Sequence, residues 1–288
     1  MSDIISNVLS FDLELWSDRE NVVNKIFNPE EVDVSFKRSI VKILSLLEKY
    51  DQKATFFTLG YLVKKFPELY SLIHENGHEI GIHGWDHKRL DSIDAIKFDG
   101  IIKKTKNTIQ DVIGEAPHGY RAPQFSLSHS TSWVLDVLEK NGIQYDSSIF
   151  PVKSPLYGSN MAPTTPYYPN YSNPLTKSDK QEKILELPLL TNTVLNHRFA
   201  AAGGFWLRLY GTSFVKNAIR KMNQKGYPTI IYLHNWELDK IQLKMDHWKS
   251  YYGLWKIPMD TQLESLLDTI SFDTGHNISE KIKSETIA

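Results

Sequence analysis

Apolar runs and amphipathic stretches alternate along the first half of the chain. Val8-Leu9-Ser10-Phe11-Asp12-Leu13-Glu14 reads as a buried strand, and from Ser35 to Tyr50 the apolar positions Ile40, Val41, Ile43, Leu44, Leu46 and Leu47 fit a helix. Ala54–Leu59 is a second strand, Leu62–Asn76 a second helix stopped at Asn76-Gly77, and Glu79–His83 a third strand. A long helix from Ile93 to Ile113 ends at Gly114, Gly119–Pro123 is a short strand closed by a Pro turn, and Thr131–Asn141 is a helix before a strand at Gln144. Four alternations of strand and helix predict parallel strands with crossover helices.

The second half is less regular. Residues 151–174 carry six prolines and four tyrosines, too Pro-rich for regular structure and too aromatic for a disordered linker, so an ordered surface loop is expected. Strands follow at Ile184–Leu190 and Thr229–Trp236, with a helix from Thr212 to Lys225 between them, then a helix at Gln262–Ile270 and a polar tail after Phe272. No repeat or linker divides the chain. The expectation is a single α/β domain over residues 1–288, barrel-like, with a core at 8–237 and a C-terminal helix and tail over 238–288.

A chain of 288 residues holds a full core unaided, so a bound metal here would serve chemistry before stability. Its 33 Lys and Arg against 34 Asp and Glu, with no basic run, give no footprint for nucleic acid. The absence of Cys removes disulfides, thiolate zinc sites and thiol nucleophiles, leaving His, Asp and Glu as the strong ligands. Met1–Asn7 lacks a basic and apolar leader, and no apolar run reaches the roughly 18–20 residues of a membrane span, so a cytoplasmic address without an integral membrane segment is expected.

Polar groups gather at the C-terminal ends of the predicted strands, the rim where loops of parallel α/β barrels converge. Asp12 and Glu14 leave one face of their strand together, either paired with basic side chains or held around a cation. His83 and His87 stand at i and i+4 just past a strand, a spacing that lets both rings reach one metal. With a carboxylate from another strand they make a two-His, one-carboxylate set. His234 closes an apolar strand, as a structural imidazole or as a general acid, and Arg121 suits an ion pair or the orientation of a carboxylate. The other histidines, His74, His78, His118, His129, His197, His247 and His276, read as structural or surface.

These segments resemble, in order from Val8 to about Glu237, the polysaccharide deacetylases of the NodB-homology type, carbohydrate esterase family four. The resemblance is carried by Phe11-Asp12-Leu13-Glu14, Ala54-Thr55-Phe56-Phe57, Gly77–His87, Arg121-Ala122-Pro123 and Leu233-His234. Tyr145-Asp146-Ser147-Ser148, Gly203-Gly204-Phe205-Trp206 and Tyr232–Glu237 look like a bacterial branch tied to exopolysaccharide and surface-glycan synthesis. The resemblance implies a distorted (β/α)7 barrel and hydrolysis of an N-acetyl group on an amino sugar with zinc or a similar divalent ion. It implies His83 and His87 as ligands, Asp12 as base, Arg121 as the group steadying Asp12, and His234 as acid. The family's usual adjacent Asp pair is absent, since Leu13 follows Asp12, so the third ligand is assigned to Glu14. Its usual Asp-Trp pair is also missing, which leaves Asp146 and Glu186 as candidates for orienting His234.

Amide hydrolysis asks for a polarised carbonyl, a base for the water proton and an acid for the departing nitrogen. The metal and the backbone N–H of Gln124 are expected to hold the oxyanion, and Trp85, Pro123, Gln124, Phe125, Trp206 and Trp236 are expected around the substrate. The expected partner is an N-acylated amino sugar, nucleotide-linked, lipid-linked or oligomeric. Deformylation, metal-free hydrolysis of a ureide or other amide, and a non-catalytic carbohydrate-binding barrel are the competing readings.

Overall fold

The structure, a computed structural model, describes residues 5–15, 28–154, 157–180, 182–239 and 258–287. Strand β1 (Asn7–Leu13) is buried along its whole length and lies one strand in from the edge of a parallel sheet. On one side of it follow β2 (Thr55–Thr58), β3 (Glu79–Ile82), β4 (Gly119–Tyr120), β5 (Tyr145–Asp146) and β8 (Leu185–Glu186). On its other side lies β11 (Ile230–His234). The sheet curls until its two edges meet at a single parallel bridge between Leu189 and Ile230, which makes the architecture a distorted barrel of parallel strands flanked by helices.

The helices begin and end where local chemistry directs. Helix α1 (Pro29–Lys49) starts ahead of the expected Ser35 because Asn28 caps Glu30 and Pro29 occupies the first turn. The helix expected at 62–76 is two, α2 (Gly60–Lys65) and α3 (Pro67–Glu75). Pro67 drives Phe66 out of the helical region (φ −132°, ψ 51°), which separates them. Helix α4 (Ala95–Ile113) is capped by Asp94 and stopped by Gly114 in the left-handed conformation (φ 78°). Helix α5 (Val134–Lys140) precedes β5.

The second half holds more regular structure than expected. The Pro/Tyr-rich stretch, of which Pro155 and residue 156 lie outside the described residues, contains the hairpin β6 (Pro169–Asn170) and β7 (Asn173–Lys177). A second hairpin, β9 (Thr191–Val194) and β10 (His197–Ala200), and helix α6 (Gly204–Tyr210) precede α7 (Thr212–Asn223). After α8 (Met259–Leu267) the expected polar tail is instead strand β12 (Phe272–Asp273), paired with β1, and helix α9 (Gly275–Ile287). Two side chains from the sheet fix the start of α9, Thr55 accepting from the Gly275 N–H and Glu79 from the His276 N–H, while Ile278 is buried. Within the segment 238–288, residues 240–257, with His247, lie outside the described residues. No helix among the described residues is long and apolar enough to cross a membrane.

His78, left by its sequence context as structural or surface, is 5% exposed, and its Nδ1 accepts the Ala54 N–H at 3.3 Å. Burial, and secondarily Lys53, lowers its pKa from 6.5 to about 4. An unfolded chain would bind the proton first, so the stabilising term is complete above about pH 6.5 and is lost as pH falls through 4. Urea unfolding should therefore lose about 3 kcal/mol from this group between pH 7 and pH 4. His78→Asn, which keeps an acceptor but does not titrate, should flatten that part of the profile; an unchanged slope would remove His78 as its cause.

Candidate active site

The register of the sheet assembles the polar rim. Asp12 pairs with His234 across β1 and β11, and β3 and β4 deliver His83 and Arg121 immediately beyond their last residues. Asn235 accepts the Glu14 N–H at 3.0 Å and bonds Ser39 of α1, fixing the end of β1 against the first helix.

Glu14, His83 and His87 converge in the interior. Glu14 Oε1 lies 3.4 Å from His83 Nε2 and 3.0 Å from His87 Nε2, and all three residues are buried. Burial alone would raise the Glu14 carboxyl, but His87, His234 and His83 outweigh it and hold the pKa well below the usual carboxylate range. His83 Nδ1 donates to the Arg121 carbonyl at 2.8 Å, which leaves Nε2 as the unprotonated nitrogen. That nitrogen and Glu14 Oε2 are buried without a hydrogen-bond partner among the described residues. Acceptors facing one another in a buried site need a cation, and these donors fit a divalent metal. Asp12, Glu14 and His234 form an overlapping group of ligand atoms.

Arg121 is fully buried and engaged on three sides. Its Nη1 donates to Asp12 Oδ1 at 2.7 Å and to Ser10 Oγ at 2.9 Å; Nε donates to the Ser147 carbonyl and Nη2 to Ser147 Oγ. Asp12 is thus held by Arg121 while Glu14 faces the imidazoles. The turn that follows is conformationally unusual. Gln124 (φ 53°, ψ 27°) and Phe125 (φ 49°) both lie in the left-handed region, as does His87 (φ 59°). For residues other than Gly such positions cost on the order of 1–3 kcal/mol and persist only where their surroundings enforce them.

His234 is oriented by a group the sequence reading did not single out. Glu237, at the end of one 3-10 turn, accepts from His234 Nδ1 and from the His234 backbone N–H, each at 3.1 Å. Arg208 of α6 forms a buried ion pair with Glu237, and Gly204 lies so close that a Cβ there would overlap the carboxylate. Burial opposes ionisation of Glu237, yet the bond from His234 and the Arg208 charge lower its pKa to about 2. Asp146 and Glu186, expected as partners of His234, instead stand beside Ser148 and Arg121 on neighbouring strands. The available signal was local, a His-x-x-Glu spacing at the end of a strand, which lets the carboxylate cap the turn.

The expected pocket walls divide. Trp236 is 1% exposed and stacks on His234 (centroids 4.6 Å, 16° between planes), so it backs the imidazole. The Trp85 ring packs on Gly60 and lies under Lys104 at 3.4 Å, against the helical layer, which argues for a packing role there. Trp206 stacks on Tyr210 within α6. Pro123 is buried beside Gly84, and Gln124 Oε1 accepts from Arg89. Phe125 packs edge-on to Tyr232 and lines a cavity of about 230 Å³ with Arg89, Ser126, Ser148 and Tyr157.

Residues 31–145 match the polysaccharide deacetylase family, and residues 147–280 match a domain of unknown function, DUF3473. Over residues 31–145 the chain is thus similar to the polysaccharide deacetylases, and the match does not single out an exopolysaccharide branch. A peptidoglycan deacetylase of Helicobacter pylori is 34% identical over 110 residues, 38% of this chain and 36% of that protein. The chain thus matches roughly a third of the length of such curated relatives. A solved Mycobacterium smegmatis structure assigned to the polysaccharide deacetylases (TM-score 0.61, 17% identity, 99% of this chain and 94% of that chain) shares the fold. So does PuuE allantoinase (TM-score 0.60, 15% identity, 97% and 89%).

Removal of Glu237 should take from buried Arg208 the carboxylate of its ion pair. Glu237→Ala is expected to lower the unfolding free energy by about 3–5 kcal/mol, read by urea denaturation. The double variant Arg208→Met with Glu237→Gln should recover much of that loss. A Glu237→Ala protein as stable as the parent would show that the pair is not a buried electrostatic unit.

Proposed function

We propose that the protein is a metal-dependent hydrolase that removes an N-acyl group, foremost N-acetyl, from an amino sugar, with the chain acting as one catalytic domain. The observation that carries this reading is the Glu14, His83 and His87 triad flanked by Asp12 on Arg121 and by His234 on Glu237. A divalent ion, most simply Zn²⁺, held by Glu14, His83 and His87 supplies Lewis acidity toward the amide carbonyl and the attacking water. Asp12, kept in place by Arg121, accepts the water proton as the new carbon–oxygen bond forms. The Gln124 N–H stabilises the oxyanion of the tetrahedral intermediate. His234, aligned by Glu237 and Trp236, donates a proton to the nitrogen as the carbon–nitrogen bond breaks, releasing a free amine and a carboxylate.

Peptidoglycan deacetylase is the name of a curated relative, and an acetylated amino sugar in surface polysaccharide or glycolipid synthesis is the substrate class we assign to this chain. Nucleotide-linked, lipid-linked and oligomeric forms of that sugar all present the same amide. The test pairs metal analysis with acetate and formate release from N-acyl amino sugars of all three kinds. Zn²⁺ should bind at one equivalent, be lost in Glu14→Ala, and remain bound in Asp12→Asn and His234→Ala. Each of the latter two should lower kcat by about 10²–10⁴. Activity untouched by chelators would favour metal-free amide or ureide hydrolysis, and sugar binding without acid release would favour a carbohydrate-binding barrel.

A further inference from the structure

Asp146 and Glu186 face each other as register partners on β5 and β8, and both are fully buried. One oxygen of each is satisfied: Asp146 Oδ1 accepts from the Ser148 hydroxyl, and Glu186 Oε1 accepts the Ile149 N–H at 3.0 Å. The other two, Asp146 Oδ2 and Glu186 Oε2, receive no hydrogen bond from any donor among the described residues. Two buried carboxylates in contact cannot both stay ionised, and a proton between them satisfies both free oxygens. Burial raises the pKa of each, and repulsion from Asp146 adds to the rise at Glu186, so Glu186 is the side that retains the proton. Arg121 is the cation that faces the pair, and the hydroxyls of Tyr120 and Tyr167 are its other titratable neighbours.

The pair connects to the candidate active site through hydroxyl groups. Ser148 Oγ, donating to Asp146, accepts the Ala122 N–H at 2.8 Å, and Ser147 holds two arms of Arg121. Ala122 opens the strained turn of Pro123, Gln124 and Phe125, and its carbonyl accepts the Phe125 N–H. We infer that Asp146 and Glu186 share one proton and act as a positioning pair, fixing the Arg121-Ala122-Pro123-Gln124 turn through Ser148. The catalytic consequence rests on the deacetylase reading, since the turn carries the proposed oxyanion donor. The turn also carries the Arg121 carbonyl that orients His83, so its placement has a second readout in metal affinity.

Infrared difference spectroscopy of the whole protein at neutral pH tests the proton directly. Wild type minus Glu186→Gln should show the carbonyl stretch of a protonated carboxylic acid, and the subtraction separates the pair from Glu79, a half-buried carboxyl whose pKa is also raised. Absence of that band overturns the shared proton. Ser148→Ala cuts the connection without removing either carboxyl: the band should persist, kcat should fall about 10–100-fold with KM little changed, and Zn²⁺ affinity should fall by about 10–100-fold. Glu186→Gln, whose amide supplies a permanent donor to Asp146, should keep most of the kcat that Glu186→Ala loses. Wild-type kcat and Zn²⁺ affinity in a folded Ser148→Ala protein overturn the positioning role. If wild type releases no acid from any substrate, the deacetylase reading fails alone, because the infrared band and Zn²⁺ affinity still decide this inference.

Discussion

A guanidinium sealed from water is the constraint around which the site is arranged. Burying a cation costs several kcal/mol unless its charge is paired and its N–H groups are satisfied, so Arg121 demands partners in fixed places. Asp12 supplies the charge, and Ser10 and Ser147 supply the remaining acceptors. The same residue's carbonyl sets the tautomer of His83. Strands β1, β4 and β5 are therefore locked in relation to one another by one side chain, and Asp12 and Glu14, adjacent on the same strand face, are given different surroundings.

The opposite wall repeats the device with a different pair. Glu237 is buried and ionised because Arg208 and His234 both favour its charge, and Gly204 leaves room for that carboxylate. The imidazole is held edge and face, by Glu237 at Nδ1 and by Trp236 beneath the ring. Between these walls lie the positions with left-handed backbone, His87, Gln124 and Phe125. Strain concentrated there is compatible with stability because the flanking strands are fully packed.

The first half of the fold was legible from the chain because its strands are continuous apolar runs and its helices carry a clear 3.6-residue period. The second half was less so. Hairpin strands of two to five residues and the seven-residue α6 are too short for a period to show, and α9 is polar on most of its surface, so its buried Ile278 is evident only from the packed structure. The candidate site followed the same division. His83 and His87 are close in sequence, and their spacing announced a candidate ligand pair. The roles of Trp85 and Trp236 depend on what packs against each face, which neighbouring residues in the chain do not specify.

What the sequence determined by itself was the chemical inventory: no thiols, paired carboxylates and imidazoles at strand ends, and an alternation of elements that requires a parallel sheet. These are local properties, set by side-chain type and by the periodicity of each segment. Only the tertiary structure decided which carboxylate faces the imidazoles, which one pairs with Arg121, and that Glu237 rather than Asp146 or Glu186 orients His234. Those choices depend on distances between strands far apart in the chain, and on the energetic requirement that every buried charge find a partner there.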